Sequence, residues 1–322
     1  MQIFLLFLIV MYCESLNHSN SYYKTRFDAY ISQFNREYTS QESRYRLYLF
    51  SENLDFIEKE NLKKHSYKLG ITPFIDLSDD EFKASKFCGC LMKQPVREKH
   101  VAYINRTIPE SVNWVEKGVV NAIKDQRSCG SCWAFSAVAA MEGMDAIKNG
   151  KLQSFSEQQL VDCDISSFGC AGGFMDNAFL YVIQNKGICS EESYPYTAKD
   201  EDCKDKKCTS IATVSDYVDI EENNGEQLLM ALANQPVSVA IEADSFVFKY
   251  YQSGIIDAED CGSTLNHGVA AVGYGIEDGI QYILVRNSWG ENWGEQGYVR
   301  LAHYNKGEGV CGINLSASYP LI

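Results

Sequence analysis

The stretch RSCGSCWAFSA, residues 127–137, sets two cysteines three positions apart ahead of a run of small and apolar residues. A C-x-x-C can be a redox pair, half of a zinc site, or a structural half-cystine beside a reactive thiol. The three readings demand different surroundings for Cys129 and Cys132. Ser131 stands where a helix cap would, and WAFSAVAAMEGMDAI behind it has a helical mix of residues. Cys132 is therefore expected in the first turn, where the macrodipole and backbone N–H groups stabilise a thiolate.

The compartment decides how the other cysteines are read. The chain opens MQIFLLFLIVMYCES, an apolar run ended by small residues that would allow cleavage after Ser15. That is the length of a secretory signal peptide and too short for a membrane span, although only the terminal amine supplies its positive charge. No later stretch reaches 18 uninterrupted apolar residues, so no membrane span is expected. An oxidising route makes disulfides the default. Of the 12 cysteines, Cys13 leaves with the signal, and Cys88 and Cys90 lie in a region read below as removable. Cys129, Cys132, Cys163, Cys170, Cys189, Cys203, Cys208, Cys261 and Cys311 remain. Nine is odd, so one thiol is left over, and a redox or zinc pair gives no reason for that. Neither a metal nor a cofactor is expected.

A thiolate needs a proton partner. Residues 108–322 hold two histidines, His267 and His303. His303 follows GYVRL among polar residues and reads as a solvated surface side chain. His267 lies in STLNHGVAAVGYG, where a polar loop turns into a small, apolar, strand-like run. In QYILVRNSWGENWGEQGYVRL a strand is expected to end at Asn287. An Asn there can bond one imidazole nitrogen and hold the other toward sulfur.

QRSCGSCWAFS, NHGVAAVGYG and RNSWGENWGEQGY, in that order, together resemble the papain/cathepsin L family of cysteine peptidases. The likeness runs on through SEQQLVDCD, GCAGG, YPYTA and GVCGI, covering essentially all of residues 108–322. It implies Cys132 as nucleophile, His267 as general acid/base, Asn287 as the residue orienting the imidazole, and Trp289 as its shield. Gln126 and the Cys132 backbone N–H would stabilise the tetrahedral oxyanion. Cys129 becomes a half-cystine bracing the loop. The fold implied is α+β: a helical left half, a β-barrel-like right half with strands QPVSVAI, HGVAAVGY and QYILVRN, and an active-site cleft between them. The body starts near IPESVNW, residues 108–114, with Asn113 where the family usually has Asp.

Residues 16–107 resemble an inhibitory propeptide of this family. Glu42, Arg46, Phe50, Asn53, Ile57 and Asn61 match its E-x3-R-x3-F-x2-N-x3-I-x3-N spacing, and the same offsets align them along one side of a helix. GITPFIDLSDDEF resembles the G-x-N-x-F-x-D segment with Thr72 in place of Asn, a departure expected to weaken a local bond. Residues 1–107 carry 15 Lys+Arg against 13 Asp+Glu, and residues 108–322 carry 14 against 30. A basic plug on an acidic body would loosen as carboxylates protonate, though the acidity also reads as a solvated surface. It argues against nucleic-acid binding.

Substrate choice follows from the resemblance. Gly172 and Gly173 would bond substrate backbone, and Phe174, Met175, Ala240, Leu265, Gly268 and Ser316 would line an uncharged S2 pocket preferring apolar P2 residues. Gly268 in place of Ala would deepen that pocket; Arg127 in place of Gly has no assigned effect. The implied product is an endopeptidase zymogen delivered to a lysosome, vacuole or the exterior, a monomer open to cystatin-type inhibitors. A catalytically dead homologue and a peptide ligase using the same acyl-enzyme are the alternatives. Sequons occur at Asn17, Asn105 and Asn314, and Asn105 is the expected glycan site. For the disulfides, the resemblance supplies Cys129–Cys170, Cys163–Cys203 and Cys261–Cys311. Cys189 and Cys208 remain, and their pairing would close a 20-residue ring around Cys203. The exchanged set, Cys163–Cys208 with Cys189–Cys203, stays open.

Overall fold

The computed structural model describes residues 18–87, 108–257 and 261–322. The expected signal peptide, Asn17, Cys88, Cys90, Asn105 and the junction near residue 107 lie outside them. The N-terminal unit holds α1 (Asn20–Gln33), α2 (Ser40–Asn61), β1 (Tyr67–Leu69) and α3 (Asp79–Lys86). Thr39 caps α2 through the Glu42 N–H, and Ser78 opens α3 in a capping box with Glu81. One side of α2 organises the rest of the unit. Phe50, fully buried, packs its ring 5.5 Å from those of Phe27 and Tyr30. Asn53 donates to the Ile75 carbonyl at 2.6 Å, Arg46 pairs with Glu81 at 2.7 Å, and Asn61 both donates to and accepts from the Leu69 backbone. These spaced residues thus fasten α2 to the returning chain.

The body begins with β2 (Val112–Asn113) and α4 (Cys132–Asn149), followed by α5 (Glu157–Cys163), α6 (Met175–Asn185) and a hairpin of β3 (Ile188–Cys189) with β4 (Ser210–Ala212). α4 is buried on nearly every side, with Trp133, Val138 and Met141 in the left-half core. Gly150 ends it at φ 72°, a left-handed cap that glycine adopts without strain. Among the described residues, no helix is long and apolar enough to cross a membrane. The rest is β5 (Asp216–Asp219), α7 (Gly225–Leu232), β6 (Val237–Ile241), α8 (Phe246–Lys249), β7 (Tyr251–Ile256), β8 (His267–Glu277), β9 (Ile280–Arg286), β10 (Tyr298–Ala302) and β11 (Ala317–Leu321). They form one sheet in the order β1-β7-β10-β9-β8-β6-β11-β5, with β2 on β8, antiparallel except for β7 with β10. β8 runs buried from His267 to Gly275 and carries the register: Ala240 faces Gly268 and Ile241 faces His267.

β1 of the N-terminal unit pairs antiparallel with β7 of the body, Tyr67 opposite Gly254. This edge is one fastening among several. Phe74 and Phe82 set their rings edge-on to Trp289 at 5.4 and 5.6 Å. Ion pairs complete the seam: Lys83 to Asp244 at 2.9 Å, Lys86 to Asp125 at 4.0 Å, and Lys249 to Asp79 at 3.1 Å. The first two set N-terminal lysines on body aspartates, as a basic plug on an acidic body would, and the last runs the other way. The Thr72 hydroxyl is buried and donates to the Lys249 carbonyl at 3.0 Å, making a bond across the seam.

The disulfides are Cys129–Cys170, Cys163–Cys203, Cys189–Cys208 and Cys261–Cys311, which selects the first of the two sets left open by the sequence. Cys132 is in none of them. Within GVCGINLS, Val310–Gly312 forms a 3-10 turn in which Cys311 and Gly312 both take positive φ. Asn314 beyond it is buried and donates to the Tyr304 and Gly307 carbonyls.

A buried triad ties the left half together. Lys124 lies 3.0 Å from Glu142 and 2.7 Å from Glu157, carboxylates that are almost wholly enclosed. Burial pushes Glu157 up to about 7, against the pull of Lys124. Lys124→Met leaves two buried carboxyls without their cation and should cost about 3–5 kcal/mol at neutral pH. A carboxyl whose folded pKa lies above its unfolded value is destabilising above the folded pKa and is relieved as pH falls. Urea denaturation of the variant in the Cys132→Ala background should therefore show the deficit shrinking from pH 7 toward pH 4.5. A pH-independent deficit would contradict this.

Candidate active site

Cys132 is the first residue of α4. Ser131 precedes it at the cap position, yet its hydroxyl does not cap: it bonds Tyr196 Oη at 2.6 Å and lies 3.5 Å from the Cys129 carbonyl. The expected side-chain cap is therefore absent, and the first-turn N–H groups are left to the dipole. Tyr196 Oη also donates to the Gln126 carbonyl at 2.9 Å, and Gly130 N–H donates to the Cys170 carbonyl at 2.9 Å. With the Cys129–Cys170 bridge these bonds fix the loop that delivers Cys132.

The sheet brings His267 to the same place. Ser136 on α4 donates to the Val269 carbonyl at 2.6 Å, and Ser238 on β6 donates to the Ser136 carbonyl at 3.0 Å. A Cβ on Gly268 would stand 3.2 Å from the Cys132 carbonyl oxygen, so the start of β8 lies directly against the first turn of α4. His267 is fully buried, and its Nε2 meets Asn287 Oδ1 at 2.8 Å. That oxygen also accepts the Ser288 N–H at 2.8 Å. An atom facing a backbone donor is an acceptor, so His267 Nε2 must carry the hydrogen, which leaves Nδ1 as the basic nitrogen. Among the described residues, Nδ1 has no hydrogen-bond partner. Trp289 covers the pair, its ring centroid 4.8 Å from that of His267. Phe87 of the N-terminal unit stands edge-on to both rings, at 5.8 and 6.0 Å. Burial pushes His267 down to about 4, the Asn287 bond opposing and the charge of Lys86 adding to the drop.

Gln126 is buried, with Nε2 donating to the Cys129 carbonyl at 3.0 Å and Oε1 accepting from Ser288 Oγ at 2.8 Å. The amide is held at both ends, and one Nε2 hydrogen remains for a ligand. Ser288 was not foreseen. It joins Gln126 to Asn287, and only its position between Asn287 and Trp289 hinted at a role. His303 corrects the sequence reading: it is 6% exposed, not solvated, because the chain after β10 folds inward over Gly225. Nε2 bonds Asn305 at 3.1 Å, and burial lowers its pKa.

The expected substrate groups converge as well. Trp133 Nε1 donates to the Gly169 carbonyl, and a Cβ on Gly173 would press to 2.6 Å from the Trp133 ring, so that site requires glycine. Gly172 holds φ 115° just before Phe174, the cap residue of α6. Met175, Ala240 and Leu265 share one apolar cluster, and Ala240 N–H donates to the Ser316 carbonyl at 2.9 Å. Gly268 faces Met175: a Cβ there would lie 3.3 Å from its sulfur, so glycine does widen this corner. The arrangement offers a helix-start sulfur, an imidazole of fixed tautomer and two amide donors, beside an apolar cluster.

Known proteins share both units of the chain. A family model described as papain family cysteine protease matches residues 108–321, and one described as cathepsin propeptide inhibitor domain matches residues 27–82. The probable cysteine protease RD21C of Arabidopsis thaliana is 47% identical over 287 residues, 87% of this chain and 63% of the relative. The chain thus spans less than two thirds of that relative's length. Cysteine protease XCP2 of the same plant is 44% identical over 91% of this chain and 85% of its own. Among solved structures, the proform of the ragweed pollen allergen Amb a 11, a cysteine protease, superposes with a TM-score of 0.88 at 37% identity, covering 94% of this chain and 96% of its own. Recombinant stem bromelain precursor gives 0.87 at 37% identity, with 93% and 99% covered.

Ser288→Ala releases the Gln126 amide to rotate. Thiol-mediated amide hydrolysis at this site should then lose about tenfold in kcat with KM little changed, the worth of about one hydrogen bond. In a Gln126→Ala background the same change should cost almost nothing. Steady-state kinetics on the processed single and double variants test this, and a shift confined to KM would refute it.

Proposed function

Since the chain belongs to the papain family of cysteine proteases and carries a propeptide inhibitor domain ahead of its protease domain, we propose that it is a cysteine endopeptidase made as a zymogen. Its parts are then a signal peptide (residues 1–15), an inhibitory propeptide (16–107) and a peptidase domain (108–322). The disulfides support the secretory pathway, and the compartment proposed is a lysosome, vacuole or the exterior. The processed form acts as a monomer and is open to cystatin-type inhibitors. Asn105 takes the glycan, whereas Asn314, its amide buried and bonded, stays bare.

The observation that carries the mechanism is the His267–Asn287 bond, with Ser288 N–H fixing which nitrogen bears hydrogen. Once the propeptide leaves, Cys132 transfers its proton to His267 Nδ1, giving a thiolate–imidazolium pair. The thiolate attacks the peptide carbonyl, and the oxyanion is met by Gln126 Nε2 and the Cys132 backbone N–H. His267 protonates the departing amine as the C–N bond breaks, leaving a thioester on Cys132. Water, losing a proton to His267, then releases the acid product and restores the thiol. Asn287 and Trp289 keep the imidazole in plane and dry through both steps.

Gly172 and Gly173 hold the substrate backbone beside Phe174, and the recess of Met175, Ala240, Leu265, Gly268 and Ser316 takes the P2 side chain. With no carboxylate among these residues, the pocket takes Leu, Val or Phe and rejects Arg. A peptide-library cleavage profile of the acid-activated protein, with Cys132→Ala as control, tests both parts. The expected result is apolar P2 residues and no cleavage by the variant, which also fails to process itself. Faster cleavage of substrates with Arg at P2 would overturn the pocket, and a self-processing variant would overturn the nucleophile.

A further inference from the structure

Where the propeptide meets the loop before Cys132, the structure holds a cavity of ≈ 290 Å³ open to solvent. Arg36, Arg46 and Lys86 of the propeptide and Arg127 of the body line it, against one carboxylate, Asp76. Asp76 is fully buried and engaged by the hydroxyls of Tyr30 and Tyr38. An adjoining cleft of ≈ 330 Å³ shares Arg36, Lys86 and Arg127 and adds Asp125.

The cations are unevenly compensated. Arg46 has Glu81 at 2.7 Å, but among the described residues its buried Nε–H has no hydrogen-bond partner, the Glu42 contact at 3.5 Å being an ion pair alone. Lys86 reaches Asp125 only at 4.0 Å and donates to the Arg127 carbonyl at 3.0 Å. Among the described residues, Arg36 and Arg127 form no ion pair. Burial pushes Lys86 down to about 8; Asp125 opposes the drop and the charge of Arg36 adds to it. Arg127 holds φ 53°, a conformation natural to glycine, with its N–H on Asp125 Oδ1 at 2.8 Å. A guanidinium is thus kept at the cavity rim on backbone that would suit glycine better.

We propose that this cavity binds a small tetrahedral oxyanion, inorganic phosphate or sulfate, which bridges the propeptide cations Arg36, Arg46 and Lys86 to Arg127 of the body. Guanidinium forks match such oxygens, and one dianion would answer the excess charge of both partners. The complete site exists only while the propeptide is docked. A ligand of the docked state alone strengthens docking by the factor 1 + [L]/Kd, about elevenfold at ten times Kd. The anion would therefore hold the zymogen closed and delay its maturation.

The anion site needs the docked propeptide and not the proposed chemistry, so an inactive full-length chain tests it separately from catalysis. Thermal unfolding of the Cys132→Ala zymogen is followed in rising sodium sulfate or sodium phosphate, with sodium chloride holding ionic strength constant. The expected result is a saturable rise in Tm that Arg127→Gly abolishes, a substitution its positive φ tolerates. No saturable rise, or an equal rise in both chains, would overturn the proposal.

Discussion

The contact on which the rest depends is the start of β8 against the first turn of α4. Ser136 and Ser238 stitch that helix to the sheet through backbone carbonyls, and Gly268 lets the strand approach the Cys132 carbonyl. A helix start favours an anion, and a strand end can present an imidazole. Pressed together without intervening side chains, they set a thiol and a base at a common seam. Asn287, Ser288 and Gln126 then fix orientation around the seam, each bond constraining the next.

The same seam explains latency. Phe74, Phe82 and Phe87 gather on the ring of Trp289, which already covers His267. This covering keeps water away and holds the imidazole pKa at about 4. In the proposed mechanism the ion pair needs a protonated imidazole, so the docked propeptide opposes activity by desolvation. The fastenings that keep it there include β1 on β7, aromatic rings on Trp289, and ion pairs pointing in both directions.

The features legible in the sequence were those that short contiguous blocks encode. Cys132, His267 and Asn287 each sit in a block whose composition announces a helix start, a strand start or a strand end, and thiol chemistry demands those residue types. The side of α2 bearing Phe50, Asn53 and Ile57 was equally legible, because helical spacing and core packing coincide there. Links between distant segments were not. The bond from Ser288 to Gln126 spans 162 positions, and the Lys124–Glu142–Glu157 triad draws on three separate segments. His303 looked solvated because its neighbours are polar, whereas its burial is decided by Gly225 on another element. The partner of Thr72 was equally hidden in the sequence, since it is the Lys249 carbonyl, 177 positions away.

The central claim is that Cys132 and His267 form an ion pair once the propeptide has left, and that the docked propeptide prevents it by keeping the imidazole buried. The most direct measurement is the pH profile of Cys132 alkylation by iodoacetamide, before and after propeptide removal, read by mass spectrometry of the labelled peptide. The account predicts that the processed protein is alkylated readily at pH values well below the ordinary thiol pKa of about 8.5, while the zymogen is protected across the same range. Alkylation of the processed protein that rises only as pH approaches that ordinary value, or a zymogen labelled as fast as the processed form, would contradict it.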